Sequence, residues 1–245
     1  MRHNYLIIVY IFISFFSCNN DDDNYTGDII ILEVQDDSGQ STDSALANGE
    51  TLIVLTAKIS PNADNSIQNI EFNKSDGKFL GIAGATATRP INENGTASII
   101  VKVPNKVERL FFNCKVSFNG KEYFSEAALE TNRAYPDILI IEPSTINVSI
   151  PATIILNTFL SRSDGDVSEE TAANFTAYQI INGVNVEVGR FTNLNNAYTN
   201  HEGLITVNFH TDTNDIDTSK PVVIKVTAFN DLQEIIEKQI NLTIN

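Results

Sequence analysis

Apolar and polar residues alternate along most of the chain after residue 28, and a period of two is typical of β-strands that bury one face. One such stretch places on a single face Leu110, Phe112, Cys114, Val116 and Phe118. The alternation predicts strands over residues 28–33, 51–59, 67–72, 96–103, 110–118 and 122–130, and again over residues 137–142, 150–160, 174–181, 184–191, 204–210, 222–230 and 234–244. No convincing helix appears, so the pattern predicts an all-β protein.

The second half of the chain repeats the first in the same order. Residues 28–33 and 137–142 have nearly the same sequence, 109 positions apart. Residues 94–99 correspond to residues 202–207 at an offset of 108 positions, and residues 115–119 correspond to residues 225–230 at an offset of 110 positions. Three matched landmarks in one order indicate a tandem duplication. Turn-forming residues separate the strands in both halves, among them Asn119-Gly120, Asn182-Gly183, Ser75-Asp76-Gly77 and Asp164-Gly165.

About seven short strands per 105 to 110 residues is the pattern of an immunoglobulin-like sandwich. We therefore predict two such domains, over residues 28–133 and 137–245. Pro136 lies between them and fixes its own backbone, which predicts a short, semi-rigid junction near residues 131–136. The predicted product is a two-domain rod.

Several strand and turn motifs resemble the bacterial Ig-like domains of invasin and intimin. In the first half they are residues 47–52, 55–59, 70–72 and 94–97, and in the second half the looser matches are Phe175, Thr199 and residues 202–204. The resemblance covers nearly all of the chain after the N-terminal segment. Its motifs are turns and core positions, so it implies a fold and not a site.

The N-terminus predicts export. A weakly basic head at Arg2 and His3 precedes an apolar run over residues 6–16, which fits a signal-peptide core and is too short for the roughly 20 residues that span a bilayer. The predicted signal peptide is residues 1–17.

Ser17-Cys18 resembles the lipobox of bacterial lipoproteins, although Phe15 stands where that family usually has Leu. The resemblance implies that Cys18 is acylated and anchors the mature chain in the outer membrane. Residues 18–27 form a predicted acidic tether, and its three consecutive Asp residues resemble the tract that marks surface-exported lipoproteins of Bacteroidota. This implies that the protein faces the cell exterior.

The formal charge of −15 argues against binding nucleic acid or an anionic membrane face. The chain has two cysteines. If Cys18 is acylated, Cys114 has no partner for a disulfide, and its place in the alternating stretch predicts a small buried hydrophobe. A reactive thiol would need an accessible, electropositive setting.

No motif for catalysis is recognisable. His201 lies in a predicted turn and His210 ends a predicted strand, and neither has a nucleophile motif beside it. We therefore predict no catalytic residues, no cofactor and no enzymatic activity. Zinc would need three or four suitably spaced ligands, which are not seen.

Three further kinds of site have candidates. Clustered oxygen ligands suit Ca²⁺, and the candidates are Asp212, Asn214, Asp215 and Asp217, with a solvated acidic loop as the alternative. Ser44 lies in Asp43-Ser44-Ala45, which matches the O-glycosylation sequence of Bacteroidota surface proteins. Glycan-stacking candidates are Tyr123, Tyr135, Tyr178 and Tyr198, whose alternative role is packing.

These observations predict a non-enzymatic, lipid-anchored surface protein that acts through sheet edges or loop tips. It would be an adhesion or interaction module, or an accessory subunit of an outer-membrane complex, whose partner is a β-barrel complex or an extracellular ligand. One alternative is a surface glycan-binding lipoprotein, which the absence of Trp disfavours. Another is a pilus-type subunit or anchor.

Overall fold

A computed structural model describes residues 29–61, 63, 67–118, 120–212 and 214–245. The predicted signal peptide, the acidic tether and Cys18 lie outside these residues. Within them the chain is almost entirely β-structure, as predicted, and its one helical element is a three-residue 3₁₀ turn (Leu194–Asn196). The described part contains no helix of the length and hydropathy needed to cross a bilayer.

Nine strands build the first half of the structure. They are β1 (Ile30–Gln35), β2 (Ser44–Ala47), β3 (Leu52–Ile59), β4 (Asn69–Lys74), β5 (Lys78–Phe79), β6 (Thr86–Pro90), β7 (Thr96–Lys102), β8 (Arg109–Phe118) and β9 (Lys121–Arg133). The sheet order β1-β3-β7-β5 forms one layer and the order β2-β9-β8-β4-β6 forms the other. Their inner faces enclose a single apolar core that includes Phe72, Phe112 and Leu129.

Nine strands also build the second half. They are β10 (Ile138–Pro143), β11 (Asn147–Val148), β12 (Thr153–Ser161), β13 (Asn174–Ile181), β14 (Val184–Glu187), β15 (Arg190–Thr192), β16 (Leu204–His210), β17 (Val222–Phe229) and β18 (Ile235–Ile244). Their sheets have the orders β10-β12-β16-β15 and β11-β18-β17-β13-β14. A second, separate core lies between them and includes Leu156, Phe209 and Ile224.

The two sandwiches place corresponding residues in corresponding strands. Cys114 in β8 and Ile224 in β17 are 110 positions apart, and both side chains are fully buried. Burial raises the pKa of the Cys114 thiol to about 12. Cys114 is therefore a core residue in the place that an isoleucine occupies in the second sandwich, and the thiolate needed for reactivity is suppressed.

The structure corrects one predicted strand. Residues 184–191 form two strands, β14 and β15, which belong to different sheets. The chain changes sheets at Gly189, which has a positive φ of 69°. A Cβ atom at Gly189 would lie 2.5 Å from the ring of Phe209, so this crossing requires glycine.

Four short strands were not predicted, namely β2, β5, β6 and β11. Two of them contain only two residues each, and none has enough alternating apolar positions to give a signal. Strands β2 and β11 correspond to each other, since each pairs in parallel with the last strand of its own sandwich.

Candidate functional site

The acidic candidates for Ca²⁺ lie in the loop between β16 and β17 and are engaged by protein groups. Asp212 accepts hydrogen bonds from Arg190 at 3.2 and 2.8 Å, and the guanidinium lowers the pKa of the carboxyl group. Asp217 accepts hydrogen bonds from the amide and hydroxyl of Ser219, and the hydroxyl lowers the Asp217 pKa. Asp215 accepts the amide of Gly189 at 3.2 Å.

No group of three or more His, Cys, Asp or Glu residues in the described chain could hold a metal ion. Asn214 lies in the same exposed loop as the other Ca²⁺ candidates. The alternative reading of a solvated acidic loop fits this arrangement, in which the carboxylates bind their own neighbours.

The two described histidines lie toward opposite ends of β16, since His201 precedes its first residue and His210 is its last. His201 is exposed and lies 3.7 Å from the Glu202 carboxylate. His210 is held between two threonine hydroxyls, with Nδ1 2.9 Å from Thr153 Oγ1 and Nε2 2.7 Å from Thr192 Oγ1.

The other candidates occupy separate positions. Ser44 is exposed at the start of β2. Tyr178 lies on β13, and its hydroxyl donates to the side-chain oxygen of Gln239 at 3.2 Å. Tyr123 packs against the first core, Tyr198 is exposed beyond the 3₁₀ turn, and Tyr135 lies in the link between the sandwiches. The four tyrosines thus sit on four different segments.

The loops of the two sandwiches meet in a hydrogen-bonded junction. Ser168 is fully buried there. Its hydroxyl donates to the carbonyl of Ala47 at 2.7 Å and accepts the amide of Ala134 at 2.8 Å. Two backbone amides of the second sandwich also donate across the junction: Asp166 to Asn48 and Glu169 to Asn105, both at 2.7 Å. The junction is therefore closed by loop contacts as well as by the short link.

One five-residue turn occurs four times in the described chain. Its first residue is Asp36, Asn92, Asn200 or Asn230. In each copy the side-chain oxygen of this residue accepts the amides two and four positions later. The first residue also donates its own amide to the carbonyl of the fifth. This network fixes the backbone of each turn.

The fourth copy differs from the others at its fourth position, which has a positive φ in all of them. Gly39, Gly95 and Gly203 occupy this position in three copies, with φ of 83°, 73° and 72°. In the copy between β17 and β18 the residue is Gln233, with φ of 61°. A side chain in the left-handed region costs about 1–2 kcal/mol. Such strain is found most often at functional sites.

The same turn carries an exposed apolar cluster, which we name the apex and define as Phe229, Leu232 and Ile235. Phe229 and Ile235 are cross-strand neighbours, and Leu232 lies at the tip between them. Their exposed fractions are 46%, 76% and 64%. Leu232 is the most exposed of the large apolar residues in the described chain, which makes the apex a candidate interaction surface.

The apex is also tied to the junction. Asp231, next to Leu232, accepts the amide of Tyr135 at 2.9 Å. It also receives a hydrogen bond of 2.7 Å from Arg162, whose guanidinium donates to the carbonyl of Tyr135 as well. Next to this pair, Asp137 is partly desolvated, yet hydrogen bonds from Ser163 hold its pKa below the ordinary value. These contacts of Asp231 hold the turn that carries the apex in place against the junction.

The sequence contains one signal for the apex. An apolar residue, Leu232, lies inside the predicted loop between the last two strands, where solvent exposure normally favours polar residues. The contacts of Asp231 with Tyr135 and Arg162 had no such signal, because these residues are 96 and 69 positions away.

No family model matches this chain, and no curated protein does. Two solved structures of bacterial adhesins share its fold. The Yersinia pseudotuberculosis adhesin InvE superposes with a TM-score of 0.53 at 13% identity, over 87% of this chain and 58% of that one. Invasin, a bacterial integrin-binding protein, superposes with a TM-score of 0.53 at 15% identity, over 88% of this chain and 39% of that one.

The chain therefore spans less than two thirds of the length of either adhesin. At these identities the likeness shows the fold alone. Together with the strand order it confirms the predicted fold class of two tandem Ig-like β-sandwiches.

Proposed function

We propose that this chain is a non-enzymatic interaction module at the bacterial surface, which binds a protein partner through the apex. It is anchored in the outer membrane by lipid on Cys18 and faces outward. The observation that carries the proposal is the exposure of Leu232 on a turn that is fixed by Asn230 and strained at Gln233. The fold shared with two bacterial adhesins supports a surface role.

The energetics of the apex favour binding. Fully burying an exposed apolar side chain of this size contributes about 1.5–3 kcal/mol. The cost of ordering a loop on association is small here, because Asn230 already fixes the turn and Asp231 already anchors it. We infer that the partner offers an apolar pocket for Leu232 and an apolar groove for Phe229 and Ile235.

The test compares two variants with the native protein in its own outer membrane. Leu232→Asp places a charge at the centre of the apex, and Leu80→Asp does the same at an exposed leucine of the first sandwich. Tagged proteins are purified in mild detergent, and the accompanying proteins are quantified by mass spectrometry. We expect a stoichiometric partner that Leu232→Asp loses and Leu80→Asp keeps.

A partner retained equally by both variants would overturn the assignment of the apex. A partner lost equally from both would overturn it too, since the effect would not be specific to Leu232. The anchor is tested separately with Cys18→Ala, for which we expect loss of the protein from the surface of intact cells. Normal surface display of that variant would overturn the lipid anchor without affecting the apex.

A further inference from the structure

Strand β14 forms an open edge of the second sandwich. All four of its side chains are exposed, including Val184 at 62% and Val186 at 39%. On the neighbouring strand β13, Ile180 is exposed as well. The edge therefore carries apolar side chains and one charged residue, Glu187, but neither Lys nor Pro, which are prominent among the residues that protect an edge strand.

The pairing of β14 with β13 shows which backbone groups remain free for another strand. Val188 donates its amide to the carbonyl of Ala177. In an antiparallel pair hydrogen-bonded positions alternate with non-hydrogen-bonded ones, so Val188, Val186 and Val184 bond to β13. Asn185 and Glu187 lie between these three residues. Their amide and carbonyl groups consequently point away from β13, toward the side where a further strand would lie.

Four other edge strands of the described chain, β1, β5, β6 and β11, are protected or very short. On β1 the amide of Leu32 donates to the hydroxyl of Ser125 at 3.0 Å. The edge strand β6, which has the position in the first sandwich that β14 has in the second, ends in Arg89 and Pro90. Strands β5 and β11 have only two residues each. The edge at β14 has none of these protections.

Charge and size indicate what would occupy this edge. Glu187 lies on it, and Asp215 binds the amide of Gly189 directly beyond it, in a chain of net charge −15. A second copy of the chain would bring the same acidic groups to the contact. A four-residue strand is also only about 13 Å long, which is too short for the roughly 800 Å² that each partner buries in a stable complex.

We propose that β14 accepts an extended peptide segment bearing Lys or Arg, which adds to the sheet as a further strand. Main-chain hydrogen bonds to Asn185 and Glu187 supply the affinity, and the alternate side chains of the segment lie beside Asn185 and Glu187 on one face and beside Val184 and Val186 on the other. Basic residues of the segment face Glu187. This site is independent of the apex.

The probe is a short, blocked peptide of alternating lysine and valine, labelled for fluorescence anisotropy, with an alternating glutamate and valine peptide as its counterpart. Asn185→Pro removes an outward-facing amide without removing a bond to β13, a place where an edge strand tolerates proline. The matched control is Thr88→Pro. Ala85 and Ile91, three positions before and after Thr88, form backbone hydrogen bonds with β4 or the residue next to it. Because bonded and unbonded positions alternate, the backbone groups of Thr88 on β6 also point away from β4.

We expect the native protein to bind the lysine peptide, Asn185→Pro to weaken that binding by about tenfold, and Thr88→Pro to leave it within about twofold. Glu187→Lys, which alters no backbone group, is expected to reverse the preference between the two peptides. Absence of binding to the native protein overturns the proposal. Equal binding by the native protein and Asn185→Pro also overturns it, since attraction by charge alone would then explain the result.

Discussion

The Ser168→Ala substitution removes the hydroxyl that joins the two sandwiches. In the native protein this hydroxyl donates to Ala47 of the first sandwich and accepts the amide of Ala134 in the link. All three residues are fully buried, so water cannot replace the lost contacts without a rearrangement. The variant leaves a buried carbonyl and a buried amide without their hydroxyl partner.

The expected cost follows from these two groups. An unsatisfied buried donor or acceptor costs about 1–3 kcal/mol, and partial relaxation of the loops recovers some of it. We expect the free energy of unfolding to fall by about 2–4 kcal/mol. With a urea dependence of about 2 kcal/mol per molar, the unfolding midpoint falls by about 1–2 M.

The measurement is urea unfolding followed by circular dichroism, with Ser219→Ala as the control. Ser219 also donates a hydroxyl hydrogen bond, to Asp217 at 2.6 Å, but in an exposed loop, where its loss should change stability by less than about 0.5 kcal/mol. Equal midpoints for the two variants would refute the reasoning, because Ser168 would then hold the junction no more firmly than a surface serine holds its loop.

Two further substitutions and one thiol-labelling experiment have defined outcomes. Gln233→Gly should raise stability by about 0.5–1 kcal/mol because glycine relieves the left-handed backbone, and an unchanged melting temperature would contradict strain at the apex. Thr158→Val should stabilise by about 1 kcal/mol, since the buried Thr158 hydroxyl has no hydrogen-bond partner among the described residues; a lower melting temperature would contradict this. In a variant that begins after the predicted lipidation site, Cys114 should resist thiol reagents at pH 8, given its pKa of about 12, and react once the protein is denatured in guanidinium. Rapid labelling of the folded protein would show that the thiol is not enclosed.

The long strands could be predicted because burial on one face leaves a direct record in the sequence. Strands β13 and β16 begin and end at the predicted residues, 174–181 and 204–210. The division between β14 and β15 is marked only by a change of apolar phase, since Phe191 does not continue the spacing of Val184, Val186 and Val188, and such a shift does not by itself show that the two strands belong to different sheets. The division depends on the closeness of Gly189 to Phe209, which the fold alone creates.

The junction and the apex were harder to predict for a related reason. Ser168 contacts Ala47, 121 positions away, and nothing in either local sequence distinguishes these two residues from their neighbours. The turn at Asn230 was predictable as a turn. That its left-handed position falls on Gln233 became apparent only by comparison with the three copies that have glycine there.

The parallel pairing of β2 with β9 and of β11 with β18 determines how each sandwich would respond to a pulling force. In each sandwich the second strand along the chain, β2 or β11, runs alongside the last strand in the same direction. Once the first strand, β1 or β10, has detached from its sheet, tension on the chain ends acts along this parallel pair and loads all of its hydrogen bonds together. The first sandwich has four residue pairs in this contact and the second has two. Under tension we expect the second sandwich to yield first, at the lower of two force peaks in single-molecule stretching; shortening the β2 contact should reverse that order, and an order that stays the same would contradict it. A tethered protein of this design would extend in steps and stay attached.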